Sequence, residues 1–194
     1  MKTRESGMPD ESLWESFFDV ATVLSALQLV PEVGNVAEFG CGYGTFTIPA
    51  ARRCRGILAA FDIDPDMVAA TSAKAKAAVL TNVRTELRDF VVHGTGLPAS
   101  SVDYVMMFNI LHAEESDRLL AEARRILAPR GKLGVMHWNY DPATPRGPSM
   151  AVRPRPEQLR REIVAAGFTQ ITDLIDLPPY HYGFVFERPE QQTR

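Results

Sequence analysis

Leu13, Phe17, Val20, Leu24 and Leu27 recur at spacings of four, three, four and three, which keeps one apolar stripe on one side of a helix. The chain is therefore expected to open with a helix. Val36-Ala37-Glu38-Phe39 then runs into Gly40-Cys41-Gly42-Tyr43-Gly44, and Thr45 to Arg55 has helical character. That order predicts strand, glycine turn, helix. The continuous apolar run Ile57 to Phe61 suits a strand covered on both faces, and Asp64-Pro65 supplies an N-cap and a first-turn proline for a helix through Ala78. Val83 to Leu87 and Val102 to Phe108 read as strands three and four. Leu119, Leu120, Ala123, Ile126 and Leu127 stand at helical spacing and are stopped by Pro129-Arg130-Gly131, after which Leu133 to Trp138 reads as strand five.

Asn139 to Pro156 holds five prolines and little periodicity, which predicts a long loop, and Leu159, Ile163 and Ala166 mark a helix ended by Gly167. Two strand-like runs, Ile171 to Leu177 and Tyr182 to Glu187, meet at Pro178-Pro179. Strands alternating with helices predict a parallel sheet with helices on both faces, and the last pair, lacking a helix, must join antiparallel. No repeat or linker divides the chain, so residues 1–194 are expected to form one domain, with 1–30 as an N-terminal helical segment and 139–156 as a proline-rich loop.

At 194 residues, 45% apolar and 23% charged, the composition is that of a folded soluble protein. A net charge of −3 gives no basic footprint for a phosphate backbone, so nucleic acid is disfavoured as a partner. Cys41 and Cys54 make neither a disulfide framework nor a C-x-x-C pair, which fits a reducing cytoplasm. Asp10, Glu11, Glu15 and Asp19 interrupt the start of the chain, against a signal peptide, and no apolar run reaches the ~18 residues of a membrane span. His93, His137 and His181 stand singly, so no metal site is expected. Arg146, Arg153 and Arg155 read as solvated loop charges. Trp138, Tyr140, Tyr180 and Tyr182 suit either an acceptor pocket or ordinary strand ends.

In an open α/β sheet, ligands lie beyond the carboxyl ends of the strands, so the turns after strands one, two and four carry the chemistry. Gly40, Gly42 and Gly44 expose backbone N–H groups and permit positive φ, letting an extended ligand press against the chain. Asp62, 18 residues beyond Gly44, has two acceptor oxygens suited to the 2′- and 3′-hydroxyls of a ribose. After strand four, Asn109 can orient a hydroxyl or amine and His112 can take its proton.

Glu38-x-Gly40-x-Gly42-x-Gly44 with Asp62 resembles the cofactor signature of class I S-adenosylmethionine-dependent methyltransferases. The resemblance covers about residues 33–138, takes in Asp103 and the Leu127-to-Gly131 stop, where Lys132 replaces a second glycine, and is nearest to the small bacterial menaquinone-biosynthesis-like group. It implies a three-layer Rossmann-like fold with a seven-stranded, mostly parallel sheet of order 3-2-1-4-5-7-6 and strand seven antiparallel. It also implies S-adenosyl-L-methionine as cofactor, with the glycine turn along its methionyl part, Glu38 at the ammonium, Asp62 at the ribose, Asp89 at the adenine amine, and Ile63 and Phe90 beside the adenine. Asn109 and His112 stand where such enzymes address a small-molecule methyl acceptor.

A nicotinamide enzyme would use Asp62 equally well, yet G-x-G-x-x-G needs glycine at position 45 or 47, and both are threonine. A non-catalytic cofactor-binding protein of the same fold is the other alternative. Phe108-Asn109-Ile110-Leu111 lacks the Asn-Pro-Pro-aromatic of base-methylating enzymes. The segment around Met8 and Trp14 and the 139–156 loop are expected to close over bound ligands as a lid.

Overall fold

A computed structural model describes residues 9–113 and 115–190. One sheet runs through it, in the order β3-β2-β1-β4-β5-β8-β6, with β7 also on β8. The strands are β1 (Val36–Phe39), β2 (Leu58–Asp62), β3 (Val83–Leu87), β4 (Val102–Phe108), β5 (Leu127–Trp138), β6 (Thr169–Gln170), β7 (Ile175–Leu177) and β8 (His181–Glu187). The first five are mutually parallel, and β8 is antiparallel to β5. The fold is thus the Rossmann-like methyltransferase architecture that the sequence implied.

Two apolar layers cover the sheet. Val36, Leu58, Ala60, Tyr104, Met106 and Val185 face α2 (Val20–Ala26) and α3 (Thr47–Arg53), while Ala37, Phe39, Val105, Leu133 and Val135 face α6 (Ser116–Ile126) and α7 (Pro156–Ala165). Strand alternation decides the division, because successive side chains point to opposite faces. α4 (Pro65–Ala77) starts as expected, with Asp64 accepting from the Asp66 N–H at 2.9 Å and Pro65 in the first turn. Among the described residues no helix is long and apolar enough to cross a membrane.

Four expectations need correction. The opening helix is two, α1 (Glu11–Glu15) and α2, because Asp19 breaks the run and caps α2 by accepting from the N–H and hydroxyl of Thr22. The helix expected over Thr45 to Arg55 is shorter at both ends. Strand five begins at Leu127: Leu127 pairs with Val102 and Lys132 with Tyr104, so Ala128 to Gly131 bulges from the ladder instead of ending a helix. The expected strand Ile171 to Leu177 is split, giving eight strands. Gln170 faces Phe186 and Ile175 faces Gly183, which leaves two more residues on this edge than a continuous ladder needs; Thr172 Oγ1 fills the gap by accepting the Val185 N–H at 2.9 Å.

Candidate functional site

The turns after β1, β2 and β4 meet at one edge of the sheet because the register levels them. Phe39 pairs with Phe61 on one side and Met107 on the other. Gly40, Gly42 and Gly44 have φ of +78°, +52° and +77°, a region costly for residues with a Cβ. A Cβ on Gly40 would lie 3.2 Å from Ile110 Cδ1, and one on Gly44 3.0 Å from Thr71 Oγ1, so the turn is pressed between the loop after β4 and α4. Thr71 Oγ1 donates to the Gly42 carbonyl at 2.7 Å.

Asp62 joins two of the turns. Its Oδ2 accepts from the Gly42 N–H at 2.9 Å and its Oδ1 from the Asp64 N–H at 3.0 Å, leaving acceptor capacity on both oxygens. Burial raises its pKa and the two amides oppose that rise. Glu38 shares the same sheet face, where period two turns it toward α3, and Thr47 Oγ1 donates to its Oε2 at 2.5 Å. Burial pushes the Glu38 carboxyl up to about 8, against the Thr47 bond and with the Asp62 charge adding to the rise.

Leu87 pairs with Asp62, so Asp89 follows close to the turn after β2. It caps α5 (Phe90–His93), a short helix not expected from the sequence, and accepts from the Val92 N–H at 3.1 Å. Ile63 stands beside Asp62 with a 37% exposed apolar side chain. Phe90 turns inward, with its ring 5.3 Å from that of Phe39 in the core.

Asn109, at φ +56°, anchors its backbone N–H on the Met136 carbonyl at 2.8 Å. Its side-chain Oδ1 and Nδ2 are buried without a hydrogen-bond partner, as is Thr45 Oγ1 in the glycine turn. Buried polar atoms are nearly always paired, and an unmet one costs about 1–3 kcal/mol. These atoms are open to a further polar partner. His112 follows three residues on, its Nδ1 3.3 Å from His137 Nε2 with the rings at 83°.

α1 crosses this edge. Tyr43 in the glycine turn donates its hydroxyl to the Pro9 carbonyl at 3.0 Å, and Lys74 of α4 pairs with Glu11 and, at 3.0 Å, Glu15. Trp14 lies 6.5 Å and Phe17 5.4 Å, ring to ring, from Trp138 at the end of β5. Met8, named above for the lid, lies outside the described residues.

Arg153 is not a solvated charge. It is 7% exposed and donates Nε to the Pro148 carbonyl, Nη1 to Asn139, Asp141 and Thr144 Oγ1, and Nη2 to Arg146 and Pro148, tying the 139–156 loop together. Arg155 instead covers the Tyr140 ring at 3.9 Å. Among the described residues no group of three His, Cys, Asp or Glu is placed to hold a metal ion.

The structure thus brings Glu38, the glycine turn and Asp62 together, with Ile63 and Asp89 following the ends of β2 and β3, and Asn109 and His112 on the loop after β4 whose Ile110 meets the turn. The sequence reading missed Thr45, Thr47, Thr71 and the His137 contact. Only His137 carried a usable signal, since it continues the inward alternation of Leu133 and Val135.

Residues 36–131 match the family described as "Methyltransferase domain". No curated protein matches the chain. Among solved structures, an S-adenosylmethionine-dependent methyltransferase from Aquifex aeolicus superposes with TM-score 0.80 at 22% identity, over 92% of this chain and 94% of that one. The N-methyltransferase NodS from Bradyrhizobium japonicum WM9, in complex with S-adenosyl-L-homocysteine, gives 0.73 at 15% identity over 94% of each chain. The [4+2]-cyclase SpnF gives 0.75 at 18% identity, over 95% of this chain and 84% of that one. These likenesses establish a shared fold; the family match, which runs from β1 past His112, marks residues 36–131 as a methyltransferase domain, and the protein is an S-adenosylmethionine-dependent methyltransferase with S-adenosylmethionine as cofactor.

Proposed function

We propose that the protein methylates a small molecule by in-line displacement, with the acceptor held beyond β4 by Asn109 and His112. The observation that carries this reading is the buried, partnerless amide of Asn109, on the loop whose Ile110 packs against the glycine turn. An amide there offers a donor and an acceptor to polar ligand groups, and Asn109 in this reading serves both cofactor and methyl acceptor.

The described residues fit the cofactor. Gly40 to Gly44 would run along its methionyl part, Glu38 would meet the ammonium, Asp62 the ribose, and Asp89 the adenine amine, with Ile63 against the ring and Phe90 backing it from the core. S-adenosylmethionine supplies a methyl group on a positively charged sulfur, a leaving group that needs no further activation. The protein's share is alignment and exclusion of water, which can supply up to about 7–11 kcal/mol. α1 and the Arg153-tied loop are the elements available for that exclusion.

The narrower resemblance to the menaquinone-biosynthesis-like group belongs to this reading and rests on the sequence resemblance over about residues 33–138. An acidic net charge favours a small acceptor over nucleic acid. The test has two parts. Calorimetry should show binding of S-adenosylhomocysteine and none of NADH, and a metabolite screen should show S-adenosylhomocysteine release with one acceptor class. Cofactor binding with no transfer to any acceptor would instead support a non-catalytic protein on this fold.

A further inference from the structure

Resting on the reading of methyl transfer to a small molecule, we propose that Phe18, Phe108 and His181 seat the acceptor and select an uncharged, ring-bearing molecule with a hydroxyl that meets His181 Nε2. A continuous row of rings leads from the glycine turn to the end of β5. Phe108, which precedes Asn109, lies 5.0 Å from Phe46 at the start of α3; Phe46 lies 5.1 Å from Phe18, Phe18 4.7 Å from His181, and His181 4.3 Å from Trp138, all ring to ring. Strand pairing explains the row. Phe108 pairs with Met136 and Trp138 with His181, and period two along β5 sets all four on the sheet face that α2 and α3 cover.

Two features separate this row from ordinary core. Phe46, Trp138 and His181 are buried, whereas Phe18 and Phe108, the neighbours of Phe46 in the row, are only half-buried, so ring surface stays uncovered where the chain passes from β4 to Asn109. Among the same rings stands His181 Nε2, buried and, among the described residues, without a hydrogen-bond partner. Taking an imidazole nitrogen out of water is unfavourable until a polar group meets it. A hydroxyl both donates and accepts, so it satisfies Nε2 whichever tautomer the ring holds.

The surroundings decide between ligand classes. Flat apolar bodies gain offset or edge contacts on such rings beyond the area they bury. An ammonium would gain there too, but Arg153 stands behind the row: a Cβ on Gly147 would lie 2.8 Å from Arg153 Nη2 and 2.9 Å from Trp138 Cγ, so the Arg153-tied loop backs the Trp138 ring. Burial and Arg153 bring the His181 imidazole down to about 3, which leaves it neutral. A guanidinium so placed repels the cation that the rings would otherwise attract. Asn109 and His112 keep the reacting end of the acceptor, and His181 anchors the other.

Nitrogen-15 NMR of the histidine rings in the full chain, saturated with S-adenosylhomocysteine, tests the seat with naphthol as probe. Naphthol should shift the His181 Nε2 resonance as it binds. His181→Phe, which keeps a ring and removes the nitrogen, should weaken naphthol binding about 10-fold with S-adenosylhomocysteine affinity unchanged, and Phe18→Ala should weaken naphthol by a similar factor. Naphthylmethylammonium, which carries the same ring system with a positive charge, should bind about 10-fold more weakly than naphthol. Absence of naphthol binding, an unmoved His181 resonance in the wild type at saturating naphthol, or preference for the ammonium overturns the proposal even if the variants fail to fold. Methyl transfer to a cationic or ringless acceptor in the metabolite screen would overturn the seat and leave methyl transfer standing. Naphthol seated at His181, with no methyl transfer to any acceptor, would leave the seat standing and remove the functional reading.

Discussion

The Gly42 amide donates to Asp62 Oδ2 at 2.9 Å across the gap between two strand ends. In the proposed reading the carboxylate that meets the ribose therefore also builds the turn along which the cofactor would lie, and the two roles have separable consequences.

Asp62→Ala strands the amides of Gly42 and Asp64. It should lower folding stability by about 2–4 kcal/mol and cofactor affinity by roughly 10–100-fold, while Asp62→Asn, which keeps one acceptor oxygen, should fall between. Urea titration and calorimetry with S-adenosylhomocysteine separate the effects. A variant that melts like the wild type but binds poorly would show that the tie to Gly42 contributes nothing to folding.

Glu38 gives a pH dependence of defined sign. Its carboxyl titrates near 8 in the folded chain and near 4.5 in the unfolded one, so between those values the folded chain holds a proton that the unfolded chain has released. Stability from this group falls as pH rises from about 4.5 to about 8 and is level above. Glu38→Gln should remove that slope, visible as the wild-type minus variant difference in urea midpoint from pH 5 to 9. Equal slopes would mean that Glu38 is ionised throughout.

α1 buries none of its own residues, yet it bridges α4 and the end of β5. Trp14→Ala should weaken S-adenosylhomocysteine binding several-fold with little change in melting temperature. Lys74→Ala, which removes only partly exposed ion pairs, should cost less than about 1 kcal/mol. Undiminished binding in both variants would remove α1 from the lid.

Arg153→Ala should unravel the 139–156 loop, costing about 3 kcal/mol and opening it to proteases while the sheet stays folded. Arg153→Lys should not rescue it, because an ammonium cannot reach both ends of the carbonyl set as a planar guanidinium does. A rescued lysine variant would show that charge alone is enough.

The order of strands and helices, the glycine turn, the Asp64-Pro65 helix start and the placing of Asp62 at a strand end were all legible in the chain, because each depends on local periodicity or on backbone preferences of single residues. The split of the opening stripe at Asp19 was masked by an apolar spacing that continues across it, where one side-chain cap outweighed the pattern. Arg153 and His137 were misread or passed over for a different cause. Whether an arginine meets water or five main-chain and hydroxyl acceptors, and whether two histidines 25 residues apart touch, depends on how β5, β8 and the loops converge. Asn109 shows the boundary most clearly: the sequence puts it after β4, and only the packed structure leaves its amide buried with nothing to bond, since an unmet polar group is defined by its neighbours and not by its position in the chain.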